Sequence, residues 1–567
     1  MSELLVSNGW VYDPLNRIDG ERMDIAIRDG RVVEGVSASA KIVDASGMVV
    51  MPGGVDIHSH IAGSKVNLGR MMRPEDHEKD VESRTSVMRA GVGRSIPSTF
   101  TTGYRYARMG YTTVFEPATP PLKARHTHEE LNDTPMVDKG CFPLFGNNWL
   151  IMDYLKDGRL DECAAYVSWM LKATKGYAIK LVNPGGVEAW GWGKYVSGLD
   201  EPVPKFDITP REIIRGLCKI NTFLNLPHPI HVHTNDLARA GNYETTIKTM
   251  DCVRDLYHGG KPIIHITHVQ FTGRSGTDWI NVGSGAPEIA DYVNKHEHAE
   301  IDLGQIIFTD TTTMTADGGF QFLLYMISGN KWGNTDVEAE TGGGIVPFHY
   351  KKSNYVNCIQ WGIGLELALM IEDPWRVHMT TDHPNAGPFT EYPRVIAWLM
   401  SKNARGNVAR KLNKSAQRRL NVSSLDREYT FNEVAITTRA ATAKSLGLKD
   451  KGHLGLGADG DVSVYAINPT TINPSRDYRL VRKALRKAAY TIKDGKVLVK
   501  NGEVVASVPG KTFWVSPDVP QDTYDQMLTN LKEKFEDYYT IRMSNYPIGE
   551  DYLKASRRFE TVAGQRI

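Results

Sequence analysis

The sequence predicts an α/β protein: a (β/α)8 barrel with a flanking β-sandwich domain built from both chain ends. Between about residues 51 and 430, β-rich runs alternate with helix-length stretches. Five of these runs end in polar residues: YTTVFEPA at 111, YAIKLVNPGG at 177, PIHVHTND at 229, PIIHITHVQF at 262 and WRVHMTTDHPN at 375. That places chemistry after many separate strands, as at the C-terminal mouth of a barrel. A doubly wound sheet also alternates strands and helices, but it gathers its ligands at one crevice.

The flanking domain is read from short alternating strands at both ends. Residues 1–50 hold three such segments with an Asp-Gly hairpin signal at 29–30, and a second set spans 455–467 and 487–508 with Asp-Gly at 494–495. Neither set is long enough for a stable sandwich alone. Residues 1–50 are therefore expected to pair with 431–508, leaving 51–430 as the barrel. Residues 509–567 remain as an extension with an amphipathic helix over about 521–537, expected to cover the β domain, pack on the surface or contact another subunit.

Of the 567 residues, 67 are Lys or Arg and 66 Asp or Glu, a formal charge of +1 that argues against a polyanion-binding protein and leaves room only for a local basic patch. No nucleic-acid module is evident. The five cysteines form no CxxC pair, which argues against an iron–sulfur cluster or zinc finger within the chain. No leader-like N-terminus and no apolar run of about 20 residues is seen, so a soluble cytoplasmic protein without a transmembrane segment is expected. TGGGIVPFH at 341–349 lacks the phosphate-loop pattern and reads as a flexible or close-packed barrel loop.

His58 and His60 in VDIHSHI are two residues apart, a spacing that turns both imidazoles to one face of a strand and toward one ion. Alone, the pair reads equally well as core histidines satisfied by hydrogen bonds. His231 and His233, His265 and His268, and Asp382 repeat the pattern at three further strand ends, and zinc accepts these donors. Lys180 lies in the apolar run AIKLV, where an ammonium is costly to desolvate. It sits at a surface, pairs with a carboxylate, or is converted by carbon dioxide to a carbamate that bridges two cations. Asp56 reads as support for the strand end.

In order, VMPGGVDIHSHI, AIKLVN, HVHTND, IHITHV and TTDHPN resemble the cyclic-amidase branch of the amidohydrolase superfamily, whose fold is a TIM-like barrel. More narrowly, VYDPLN, VNLGRMMRPEDH, FEPATPP, NPGGVEAWGWG and DHPNAGPFTEYPRVIAWLM resemble the family of formylmethanofuran dehydrogenase A subunits. The resemblance implies two zinc ions held by His58, His60, Lys180, His233, His268 and Asp382, with Lys180 carboxylated as the bridge. Asp382 is then also the catalytic acid–base, and His268 is preferred to His265 because it matches the second histidine of the dihydroorotase pattern.

The implied reaction is the reversible condensation of formate with methanofuran to N-formylmethanofuran and water. It would be coupled to carbon dioxide reduction in a partner subunit bearing a molybdenum- or tungsten-pterin, with iron–sulfur proteins supplying electrons. Asn183, His231, Asn235, Arg239, His265, Thr267, Gln270 and His383 flank the implied ligands as candidates for substrate contact or metal support. Arg70, Arg73 and His77 offer cations for an acidic group of the substrate. The alternatives are the hydrolase subunit of a bacterial formyltransferase/hydrolase complex, a dihydropyrimidinase- or dihydroorotase-like cyclic amidohydrolase, and a non-catalytic assembly scaffold.

Overall fold

The computed structural model describes residues 2–335, 343–538 and 542–564. Eight parallel strands form the barrel: β1 (Gly54–Asp56), β2 (Tyr111–Thr119), β3 (Asp138–Pro143), β4 (Lys180–Val182), β5 (Ile230–His233), β6 (Ile264–Ile266), β7 (Ala299–Asp302) and β8 (Val377–His378). Two arcs, β1 to β3 and β4 to β8, are each paired in order, and the bridges Leu144 to Lys180 and Ser59 to His383 close the ring. Every residue of β2, β3 and β5 is buried, because helices cover one strand face and barrel side chains the other. The runs are therefore continuous rather than alternating.

The outer helices are set by local chemistry. In Pro210–Phe223, Thr209 Oγ1 accepts from Glu212 N (3.2 Å) while the Glu212 carboxylate accepts from Thr209 N (2.8 Å), a reciprocal cap that fixes the start. Ile213, Ile214, Leu217 and Ile220 then recur at helical spacing and are buried.

The two chain ends meet where Val49–Pro52 pairs antiparallel with Val462–Tyr465. This contact joins both sets of strands into one nine-stranded sheet. The sheet folds back on itself: Val32 N donates to Ala458 O and Gly457 N to Val32 O, both at 2.9 Å. Its two faces thus enclose a core of Leu4, Val6, Ile25, Ile27, Val462 and Ile492. The Asp-Gly pairs make two-residue turns with positive φ at both positions, 48° and 82° at 29–30 and 46° and 74° at 494–495, matching the twist of the flanking strands.

Two boundaries differ from the sequence expectation. Residues 431–445, expected to begin the second half of the β domain, are helical and close the base of the barrel: Arg439 Nε donates to Pro52 O at 3.0 Å, and Phe431, Val434 and Ala443 are buried. The first strand of that half starts only at Val462. The tail covers the barrel rather than the β domain. Its strand Thr512–Asp518 pairs in parallel with β3 and with Ser556–Val562, and helix Gln521–Tyr538 buries Met527, Leu531 and Phe535 against helix Leu160–Thr174. A parallel partner so far along the chain leaves no local signature.

An insertion after β7 covers the mouth. Asp310–Thr315 pairs antiparallel with Gly343–His349, which also pairs with Gly333–Thr335. The Gly-rich run expected to be a loop is thus largely a strand, its first two residues lying outside the described ones. It is close-packed: a Cβ on Gly344 would stand 2.2 Å from Gln321 Cβ. Among the described residues no helix is long and apolar enough to cross a membrane.

A buried ion cluster locks the β domain to the barrel. Lys451 Nζ contacts Asp138 (2.6 Å), Asp461 (2.7 Å) and Asp459 (2.8 Å), Lys493 Nζ contacts Asp138 (2.8 Å), and Arg31 contacts Asp459 (2.8 Å). Three cations thus balance three carboxylates, and the lysines hold Asp138 well below the usual carboxylate range despite its burial. Asp138→Asn leaves two buried ammonium groups short of an anion and is expected to lower stability by about 3–5 kcal/mol in urea unfolding. An unchanged midpoint would show that the cluster does not join the two parts.

Candidate metal centre

All six residues implied as ligands line one cleft at the barrel mouth. His58 and His60 follow β1, Lys180 lies in β4, His233 ends β5, and His268 and Asp382 follow β6 and β8. His58 Nε2 and His60 Nε2 lie 2.9 and 3.3 Å from the same Asp382 oxygen. One donor atom from each of His58, His268 and Asp382 falls within 4.8 Å of the others. His268 and Asp382 have φ of 39° and 44°, a left-handed backbone that costs about 1–3 kcal/mol per residue and that side chains adopt where function demands it.

The donors are poised rather than satisfied. His58 Nε2, His233 Nε2, His268 Nδ1 and Lys180 Nζ are all buried without a hydrogen-bond partner; His58 Nε2 faces Asp382 closely but is not hydrogen-bonded to it. Orphaned buried polar atoms are rare in proteins. Burial pushes the imidazoles of His58, His233 and His268 below their ordinary pKa, so each presents a lone pair. It raises the Asp382 carboxyl and lowers Lys180 to about 7, nearby Asp302 and Asp382 only partly opposing the latter. Three lone-pair imidazoles, His60, a carboxylate and a lysine nitrogen around one cleft have the chemistry that a binuclear metal centre requires of its donors.

The tautomer of His58 is fixed from the far end of the barrel. Ser445 O can only accept, so His228 Nδ1 donates to it (3.1 Å). His228 Nε2 then accepts from His231 Nδ1 (3.0 Å), and His231 Nε2 accepts from His58 Nδ1 (2.9 Å). Burial keeps all three rings neutral, so the lone pair of His58 is left on Nε2, facing the cleft. On the other side His60 Nδ1 donates to Glu116 Oε1 (2.9 Å), which turns His60 Nε2 toward Asp382 at 3.3 Å. The second Glu116 oxygen accepts from Ile61 N (2.7 Å) and Ala62 N (3.1 Å), so one carboxylate shapes the whole β1 end.

His231 and His265 therefore lie beneath the cleft rather than in its lining. His265 bridges Glu300 (2.9 Å) and Asp302 (3.1 Å), and Asp302 accepts from His268 N (2.8 Å), orienting that ligand through its backbone. Asn183 donates to Asp317 (3.2 Å) and accepts from Asn235 (2.9 Å), a polar rim beside His233. Thr267 and Gln270 are buried outside the cleft lining, and His383 packs against Phe389 while its carbonyl accepts from His60 N (2.7 Å). Arg239 is directed outward over the Tyr195 ring. Arg70 and Arg73 are engaged by Glu130 (2.8 Å) and Thr311 O (2.7 Å), and His77 is exposed. Asp56 accepts from Tyr106, Tyr392 and His58 N, supporting the strand end.

Sequence reasoning left His228, Glu116, Asp302 and Lys65 unflagged. Glu116 is a lone carboxylate in a buried strand, and Asp302 shares the buried strand Ala299–Asp302 with Glu300, carboxylates that stand out against buried surroundings. Lys65 is 4% exposed with Nζ unpartnered, its pKa lowered by burial against the pull of Glu116 and Asp382. In the sequence it is an ordinary helix lysine. The insertion adds Thr313, Thr315, Gln321 and Tyr350 to the cleft wall.

Comparison with known proteins supplies relatives for this geometry. The model of the amidohydrolase family matches residues 41–499. The chain is 53% identical to Protein FwdA of Methanocaldococcus jannaschii over 98% of both chains. It is 36% identical, over 94% of both chains, to the A subunit of the formyltransferase/hydrolase complex Fhc of Methylorubrum extorquens. A crystal structure of the formyltransferase/hydrolase complex FhcABCD from Methylorubrum extorquens in complex with methylofuran contains a chain that superposes with a TM-score of 0.89 at 32% identity, covering 99% of this chain and 100% of that one.

Removing a support without touching a ligand is expected to weaken metal binding roughly 10–100-fold. Glu116→Gln and His231→Phe should each do so in competition titration against a chelator, while Arg239→Ala leaves affinity unchanged. Wild-type affinity in both support variants would contradict the orienting roles.

Proposed function

The chain belongs to the amidohydrolase family, and within it we propose that the protein acts as the A subunit of a formylmethanofuran dehydrogenase, condensing formate with methanofuran to N-formylmethanofuran and water, and hydrolysing that amide in reverse. One observation carries this reading: the six ligand residues implied by the sequence resemblance line a single cleft. The near-complete alignment with Protein FwdA supports the same assignment.

His58, His60, His233, His268 and Asp382 would hold two zinc ions, with Lys180 between them as a carbamate. A lysine brought to about pH 7 by burial is half neutral there, and its free Nζ lone pair can attack carbon dioxide. The N–C bond forms, one proton leaves, and the product is an anion in place of a buried ammonium. When bound, the metal pair supplies a hydroxide nucleophile and polarises the formyl carbonyl.

The protein's own groups do the rest. Asp382, raised by burial and held by Asn385 Nδ2 at 2.9 Å, takes the proton of the attacking water and returns one to the methanofuran nitrogen as the C–N bond breaks. In the synthetic direction it takes a proton from the amine and delivers it to the departing water. The insertion walls the cleft with Thr313, Phe320 and Tyr350, limiting bulk water around the reacting amide.

Formate and the formyl amide carry carbon at one oxidation state, so this condensation transfers no electrons. Reduction of carbon dioxide to formate then belongs to a partner with a molybdenum- or tungsten-pterin, fed by iron–sulfur proteins. A second reading, hydrolysis within a formyltransferase/hydrolase complex, is favoured by the superposition on the methylofuran-bound assembly. It uses the same site in the reverse direction.

The purified, metal-loaded chain should release formate from N-formylmethanofuran. Asp382→Asn should lower kcat by on the order of 10²–10⁴. Lys180→Ala should lose activity and regain part of it with a small added carboxylic acid that can take the carbamate's place. Turnover of a cyclic ureide without release of formate from N-formylmethanofuran would overturn the assignment.

A further inference from the structure

A second cleft in the described structure lies away from the candidate metal centre. It has a volume of about 600 Å3 and is walled by helices Tyr392–Leu399, Lys402–Ala409 and Tyr478–Arg486, the last belonging to the β domain, with Phe308 and Lys352 also in its lining. Seven of its fourteen lining residues are Lys or Arg and none is acidic, in a chain whose total charge is +1. Such a concentration is costly unless an anion relieves it.

Internal pairing does not suffice. Glu391, at the foot of the wall, is approached by Arg394 (3.0 Å), Arg94 (3.4 Å), Arg486 (3.5 Å) and Arg482 (3.6 Å), so one carboxylate serves four guanidiniums. Lys352, Lys411, Arg479 and Lys483 form no ion pair among the described residues. Burial lowers the pKa of Arg394, Arg482 and Lys352, and neighbouring cations lower each further. The floor is apolar, with Ala397, Trp398, Ala404 and Val408. Trp398 is only 5% exposed, so its ring is already largely covered by the fold.

We propose that this cleft docks an acidic segment of a partner subunit, with several Asp or Glu side chains on the cationic rim and one aliphatic or aromatic side chain on the apolar floor. A small inorganic anion would meet the rim charges but leave the apolar floor and most of the volume unfilled. A protein segment fills both, and the charge complementarity sets its orientation and speeds its arrival. The proposal rests on reading the chain as a subunit of a complex.

The cleft joins the barrel wall that follows β8 to the only helix described in the β domain's second half. A segment seated there would hold these two parts of the chain together from outside. Glu391 also links the cleft to the metal centre in sequence, since it lies nine residues after Asp382 in the stretch that leaves β8. No catalytic or metal-holding residue lines the cleft, so its charges can be altered without touching the reaction.

The test uses the full complex purified with this subunit in wild-type form, as Arg479→Glu/Arg482→Glu/Lys483→Glu, or as the control Lys41→Glu/Lys496→Glu/Lys500→Glu, which reverses three exposed β-domain charges elsewhere. Assembly is read by native mass spectrometry across a salt series, and formate release from N-formylmethanofuran is read on the isolated subunit. The proposal expects the cleft variant to bind its partners roughly 100-fold more weakly, with a shallower salt dependence, and to keep wild-type formate release. The milder Arg479→Gln/Arg482→Gln/Lys483→Gln should fall between. Assembly of the cleft variant like wild type, or equal losses in cleft variant and control, would overturn it. Failure of formate release in the wild-type subunit bears on the proposed reaction and leaves the assembly result to judge the cleft.

Discussion

Six side chains with metal-ligating chemistry, one of them a lysine, are buried together at the mouth of a barrel, and this burial governs the rest of the structure. Removing Lys180 from water drives its pKa down to about 7, and the imidazoles around it are stripped of hydrogen-bond partners on the cleft side. Such groups are destabilising when left alone, by about 1–3 kcal/mol for each unsatisfied polar atom. Two cations and a carbamate, as proposed, would turn the same arrangement from a burden into a binding site.

The surroundings are built to hold that arrangement still. A column of histidines runs from Ser445 at the barrel base through His228 and His231 to His58, so a backbone carbonyl at one end sets which nitrogen faces the cleft at the other. Glu116 and Asp302 do the same for His60 and for the backbone of His268. Ser445 belongs to the helical segment that closes the barrel base, and the buried Asp138 cluster ties the barrel to the β domain beside it. The accessory domain thus shares its attachment with the elements that orient the site.

Much of this was legible in the sequence, for identifiable reasons. Ligands sit at strand ends, where short motifs such as VDIHSHI and TTDHPN carry position and chemistry together, and the Asp-Gly turns report their own geometry. The β domain was readable because pairing of two short strand sets is the only way either becomes stable. What stayed hidden depends on distance. The tail strand Thr512–Asp518 pairs with β3 across hundreds of residues, and residues 431–445, expected in the β domain, are helical and buried beneath the barrel. Lys65 illustrates the same limit: nothing local distinguishes a buried helix lysine from a solvated one.

The central claim is that Lys180 and its five neighbours form one binuclear zinc site bridged by a carbamate. Crystals of the purified protein, measured on both sides of the zinc absorption edge and refined around Lys180, test it directly. Two anomalous peaks about 3.5–4 Å apart, with branched density extending from Lys180 Nζ to both, are the expected result. A single peak beside an unmodified lysine, or two peaks that leave His233 and His268 uncoordinated, would contradict it.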